Sequence, residues 1–187
     1  LSRVLGQQRE FARAITALAS LTEPGVVDEG DVRASAWLGI ADLSRRAGLP
    51  SDERRALLAL WASEPLSHEA TQARARLGRA PIPERWTVLR AETLASLGRS
   101  SEARRLLERP GVRSRLPDPL ACRAQLVLGT ALRRERRNEQ AVEALTAYLE
   151  LCPADPALPR ALFTLAAAQT SQNPTSALET YGRLAKD

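Results

Sequence analysis

Three alanines, Ala103, Ala141 and Ala177, recur at separations of 38 and 36 residues, each early in the second of two segments patterned as helices. Leu107, Leu145 and Tyr181 follow four residues later, on the same helical face. A two-helix unit of this size cannot cover its own apolar face, so a chain built on it must stack unit upon unit, with the small alanines letting helices approach closely. Composition points the same way. Alanine and leucine supply 62 of the 187 residues and valine plus isoleucine only 11, which favours helices and disfavours a sheet. With 44% hydrophobic residues the chain can bury a core, and it is too apolar for intrinsic disorder.

Punctuation divides the chain into successive helices. Phe11, Ala14, Ile15, Leu18 and Leu21 form one stripe over 10–21, closed by Pro24-Gly25. A second helix starts near Asp28 and carries Trp37, Leu38, Ala41 and Leu43 to Gly48. Ser51 caps a third, with Leu57, Leu58 and Trp61, which Pro65 interrupts. A short fourth helix over 67–77 stops at Gly78, and Pro81-Ile82-Pro83 makes a stiff joint over 79–83. Helices over 84–97 and 101–109 flank Gly98-Arg99-Ser100, and residues 110–118 form the longest loop. Asp118-Pro119, Asp155-Pro156 and Asn173-Pro174 each pair a side-chain acceptor for exposed amides with a proline tolerated in the first turn. They open helices over 119–136, 156–171 and 174 to the end, with another over 138–151 stopped by Pro153. The expected fold is all-α, one helical-repeat domain over 1–187 forming a right-handed superhelix of antiparallel helix pairs. The lack of methionine, the start at Leu1 inside a helical pattern and the unstopped end at Lys186-Asp187 predict a piece of a longer chain.

The segments 84–109, 122–153 and 158–187 resemble degenerate tetratricopeptide repeats. The fullest copy has Leu128-Gly129, Leu132, Ala141, Leu145 and Pro153, with Tyr148 where a small residue is usual. The other copies carry Ala91 and Leu165 in place of the glycine. Within that family, Ala59-Leu60-Trp61-Ala62-Ser63-Glu64-Pro65 with Ala70, the run from Tyr148 to Pro153, and Ala177-Leu178-Glu179-Thr180-Tyr181 resemble the amino-terminal superhelical region of bacterial soluble lytic transglycosylases or a related envelope repeat protein. That resemblance implies a periplasmic or envelope location, peptidoglycan as an alternative partner, and a scaffold placed before a lysozyme-like catalytic domain. No part of this chain looks like that domain.

Little in the chain suits chemistry. The one histidine, His68, stands beside Ser67 at a helix start, a position that reads as exposed. No nucleophile elbow, metal-binding histidine motif or glycine-rich phosphate cradle occurs, and no cofactor or catalytic residue is assigned. The acid pairs Asp28-Glu29 and Asp52-Glu53 fall at helix starts, where exposed amides stabilise negative charge. Cys122 and Cys152 lie near opposite ends of an antiparallel pair, which leaves both a disulfide and simple apolar packing open. Trp37, Trp61 and Trp86 read as packing residues. No apolar run approaches the roughly 20 residues that span a bilayer.

Charge carries the remaining signal. Of 27 basic residues all but Lys186 are arginine, and the formal net charge is +5. Most are interspersed with acids as a solvated, ion-paired helix surface. If the first helix of each pair lines a concave face, Arg123, Thr130, Arg133, Arg134 and Arg137 lie toward it, joined by Arg85, Glu92 and Arg99 of the preceding copy. Such guanidinium groups suit an acidic peptide or protein partner. Against that stands the placement of Arg133, Arg134, Arg136 and Arg137 at a helix C-terminus, where positive charge is locally favourable. The basic residues lack the aromatic interleaving and dense tract of a nucleic-acid binder.

Overall fold

The computed structural model describes residues 2–23, 26, 30–109, 112 and 116–185, with side chains from residue 10 onward. All regular structure among them is α-helical: α1 (Ser2–Ser20), α2 (Gly30–Arg46), α3 (Pro50–Ser63), α4 (His68–Leu77), α5 (Glu84–Ser96), α6 (Ser100–Leu107), α7 (Asp118–Arg134), α8 (Asn138–Leu151), α9 (Leu158–Gln169) and α10 (Pro174–Leu184). Pro24-Gly25, Asp28-Glu29, Pro110-Gly111 and Lys186-Asp187, used above as boundaries, lie outside the described residues. The chain divides into two compact units, residues 1–86 and 87–187.

In the first unit consecutive helices pack on one another through alanine and leucine. Ala34, Ala36, Ile40 and Ala41 of α2, all of α3 from Ala56 to Ala62, and Ala70, Ala73 and Leu77 of α4 are buried. The small residues set the spacing. A Cβ on Gly39 would stand 2.9 Å from the Leu18 methyl, so α1 crosses α2 at glycine. Charge ties the same helices laterally. Arg76 of α4 donates to Asp42 of α2 at 2.8 Å and to Glu53 of α3 at 2.5 Å, while Arg33 of α2 meets Glu64, just past α3, at 2.9 Å. Arg54 donates to the Pro81 carbonyl at 2.6 Å, anchoring the proline joint to α3.

The second unit repeats one device. Val88, Ala91, Leu94 and Ala95 of α5, Ala103 and Leu107 of α6, Leu128 and Leu132 of α7, and Ala141 and Ala144 of α8 share a continuous core. Ala103, Ala141 and Ala177 are all buried, as the repeat requires, whereas Tyr181 is only half-buried and stacks edge-on against Phe163 at 6.1 Å. Leu145 seats over Gly129, where an added Cβ would fall 2.5 Å from the leucine Cγ. Burying a leucine side chain is worth about 2 kcal/mol, and any larger residue at 129 would push this one out of place. A second core joins α7, α8 and α9 through Leu126, Leu145, Tyr148, Ala161 and Leu165. Cys122 and Cys152 lie within it as a disulfide, Cα atoms 5.9 Å apart, which resolves the alternative left open by sequence. Closing a loop of 30 residues in the unfolded chain contributes about 3–4 kcal/mol in the chain-entropy picture.

Candidate functional site

A groove of about 450 Å³ opens in the second unit between the first helices of consecutive pairs. Its floor is α7, which presents Arg123, Leu126, Val127, Thr130 and Arg134 at spacings of three and four, one face of a helix. One wall is α5, with Glu92, Thr93, Ala95 and Ser96. The other combines Tyr148 of α8 with Asp155, Ala157 and Arg160, at the entry to α9. From Arg123 to Arg134 the floor runs about 16 Å at 1.5 Å per residue, the length of about five extended residues.

The arginines here are not equivalent. Arg123 grips Glu92 with both arms of its guanidinium: Nε donates to Oε1 at 2.7 Å and Nη2 to Oε2. That hydrogen bond raises the Arg123 pKa against the lowering effect of its partial burial. Arg134 donates Nη1 to the Ala95 carbonyl near the C-terminal end of α5, a carbonyl that also accepts the Gly98 amide at 3.2 Å, where the helix dipole favours positive charge. Arg160 lines the opposite wall. Neither Arg134 nor Arg160 has a carboxylate partner among the described residues, and with Asp155 on the wall beside Arg160 the groove lining, three arginines against two carboxylates, keeps a net charge of +1.

Under the α9 wall, Tyr148 is fully buried, with its hydroxyl toward Asp155. Burial, and after it the nearby Asp155 carboxylate, pushes its pKa up to about 12. Asp155 is itself fixed, with Oδ1 accepting from the Ala157 amide at 2.8 Å. The Cys122–Cys152 bridge runs just beneath, joining the neighbour of Arg123 to the turn between Tyr148 and Asp155.

The structure divides the arginines and threonine expected to share a surface. Arg123, Thr130 and Arg134 line the groove. Arg137 lies instead in a separate polar recess with Arg136, Asn138, Glu139, Gln140 and Gln172. Arg133 is exposed in the last turn of α7 and does not line the groove. Arg99 pairs with Glu102 in the first turn of α6, its Nε donating to Oε1 at 2.6 Å. Arg85 belongs to the first unit and lies over the Trp86 ring at 5.3 Å. Sequence reasoning missed Tyr148, Asp155 and Arg160 as groove residues. The tyrosine in place of a small repeat residue was the available signal, since its bulk reaches from α8 through to the groove. Arg160 gave none, because its placement depends on where α9 begins.

His68 is exposed on the first turn of α4, beside Ser67, whose Oγ accepts from the Ala70 amide at 3.0 Å. Trp61 is buried, while Trp37 and Trp86 are half-buried. Among the described residues no group of three His, Cys, Asp or Glu could hold a metal ion, and no helix is long and apolar enough to cross a membrane.

The tetratricopeptide-repeat family model matches residues 83–156, which takes in α5 to α8 and with them the floor and one wall of the groove. No curated protein and no solved structure matches the chain. The second unit is therefore a tetratricopeptide-like helical repeat over its matched helices, and the all-α architecture extends through the rest of the described chain.

Proposed function

We propose that the chain is a scaffold for protein–protein interaction in the bacterial cell envelope, and that the groove over α7 receives an extended acidic segment of its partner. The observation that carries this reading is the pair of arginines, Arg134 and Arg160, that line a 450 Å³ groove without a carboxylate of their own. Between the charged ends lie Leu126, Val127 and Ala157, which suit apolar side chains flanked by acidic ones. A fixed arrangement of stacked helices lowers the ordering cost of binding, because little but the ligand must become rigid.

The Cys122–Cys152 disulfide supports the envelope assignment, since structural disulfides persist in oxidising compartments and are rare in the cytosol. The finer alternative, a superhelical region preceding a peptidoglycan-cleaving domain, rests on resemblance alone.

Comparative capture tests the interaction reading. The wild-type chain, an Arg134→Gln/Arg160→Gln variant and an Arg105→Gln/Arg109→Gln surface control are immobilised and exposed to envelope extract. A partner held by wild type and control but lost from the groove variant is the expected outcome. Equal capture by all three contradicts the groove as the binding surface.

A further inference from the structure

The groove arginine in the best position to read a carboxylate is already occupied by one. Arg123 and Glu92 stand on adjacent floor and wall, 31 residues apart, in the two-armed geometry by which a guanidinium recognises a carboxylate ligand. The pair is exposed enough to exchange: the Arg123 side chain is 48% and that of Glu92 25% accessible. Ion pairs of this exposure add little net stability, so replacing one carboxylate by another on the same guanidinium is close to neutral. Two other inter-helix arginines differ. Arg104, between Glu108 and Glu135, and Arg76, between Asp42 and Glu53, each hold two carboxylates and are themselves largely covered.

We propose that Glu92 is a built-in competitor for the groove: its carboxylate occupies Arg123 in the free protein and is displaced when an acidic segment of a partner binds. This rests on the groove reading given above and adds its regulation. An acidic ligand entering between Arg134 and Arg160 meets two like charges, Asp155, held in place by the Ala157 amide, and Glu92, which sits on the arginine the ligand needs. Binding then requires the Glu92 side chain to swing toward solvent, which its position on the groove wall leaves open. The device sets a threshold. A segment with a single acid can be held by Arg134 or Arg160, and one with several acids also takes Arg123 and gains the extra charge-assisted pair.

The test uses the whole chain and a fluorescein-labelled, terminally blocked peptide Glu-Glu-Leu-Glu-Glu, with Gln-Gln-Leu-Gln-Gln as its neutral counterpart, read by anisotropy at low and moderate salt. Glu92→Gln is expected to bind the acidic peptide about three- to tenfold more tightly than wild type, with no change for the neutral one. In an Arg123→Gln background the same substitution is expected to give no gain, because nothing remains to be released. A gain that persists without Arg123 overturns the proposal, since it reports simple removal of a negative charge. An unchanged affinity in Glu92→Gln also overturns it. In that case, weakened binding by Arg134→Gln/Arg160→Gln leaves the groove reading standing. Failure of both wild type and Glu92→Gln to bind the acidic peptide overturns the two together. Unchanged melting temperatures across the variants show that the comparison reads binding and not folding.

Discussion

Tyr148 shows how much one side chain can hold. It fills the space between α7, α8 and α9 beside the disulfide, and its hydroxyl faces Asp155 at the groove wall. The ring's burial stabilises the core, while ionisation would place a charge in an apolar site beside a carboxylate. Its pKa in the fold, about 12, lies above the ordinary value of 10. Stability from the neutral phenol is therefore complete below pH 10 and is lost as pH rises through 12, by about 2–3 kcal/mol for a shift of this size. Denaturant melts between pH 9 and 12 are expected to show that loss in the wild type and to show less of it in Tyr148→Phe. An equal loss in both would place the alkaline sensitivity elsewhere.

Among the elements, the helix pairs turn on a shared hairpin. Gly48, Gly98 and Arg136 each adopt positive φ, of 71°, 78° and 61°. The residue after each donates its amide to a carbonyl five residues back, Leu49 to Ser44, Arg99 to Leu94 and Arg137 to Leu132, and the next helix begins one residue later. Two of the three positions hold glycine, which enters this conformation without steric cost, and the third holds arginine, which does not. Arg136→Gly is thus expected to stabilise the second unit by about 1 kcal/mol, read as a higher denaturant midpoint with unchanged slope; a lower midpoint would show that the Arg136 side chain does more for the fold than its backbone costs.

These turns also explain what sequence could and could not tell. Proline and glycine punctuation located nearly every helix, because a missing amide or a positive φ is a local property. Cap positions are not local in this sense, since the flanking packing decides which residue leads the helix. Asn173 caps α10 as expected, its Oδ1 accepting from the Ser176 amide at 3.1 Å. Asp118 instead enters α7 as its first residue behind Pro117, and Leu49 takes the cap position of α3 that Ser51 was expected to hold. Asp155 folds an early turn by bonding the Ala157 amide, so α9 starts at Leu158 and not at Pro156. That delay carries Arg160 to the groove wall.

Across the whole molecule, the arginine excess has a structural purpose before a functional one. Arg33 with Glu64 and Arg104 with Glu135 join neighbouring helices over 31 residues, as do Glu92 and Arg123, so the ties recur at nearly one repeat length. Alternating signs at that spacing are invisible to a net charge of +5, and a reading that counts arginines overstates the surface available to a ligand. What remains is a small set at the groove, chosen by where the helices begin and end.

Nuclear magnetic resonance of the arginine Nε–Hε groups distinguishes bound from structural guanidinium groups directly. On titration with an acidic partner segment, the signals of Arg123, Arg134 and Arg160 are expected to shift together while those of Arg76 and Arg104 stay fixed. Shifts confined to arginines away from the groove, such as Arg105 and Arg109, with the groove signals unmoved, would contradict the account.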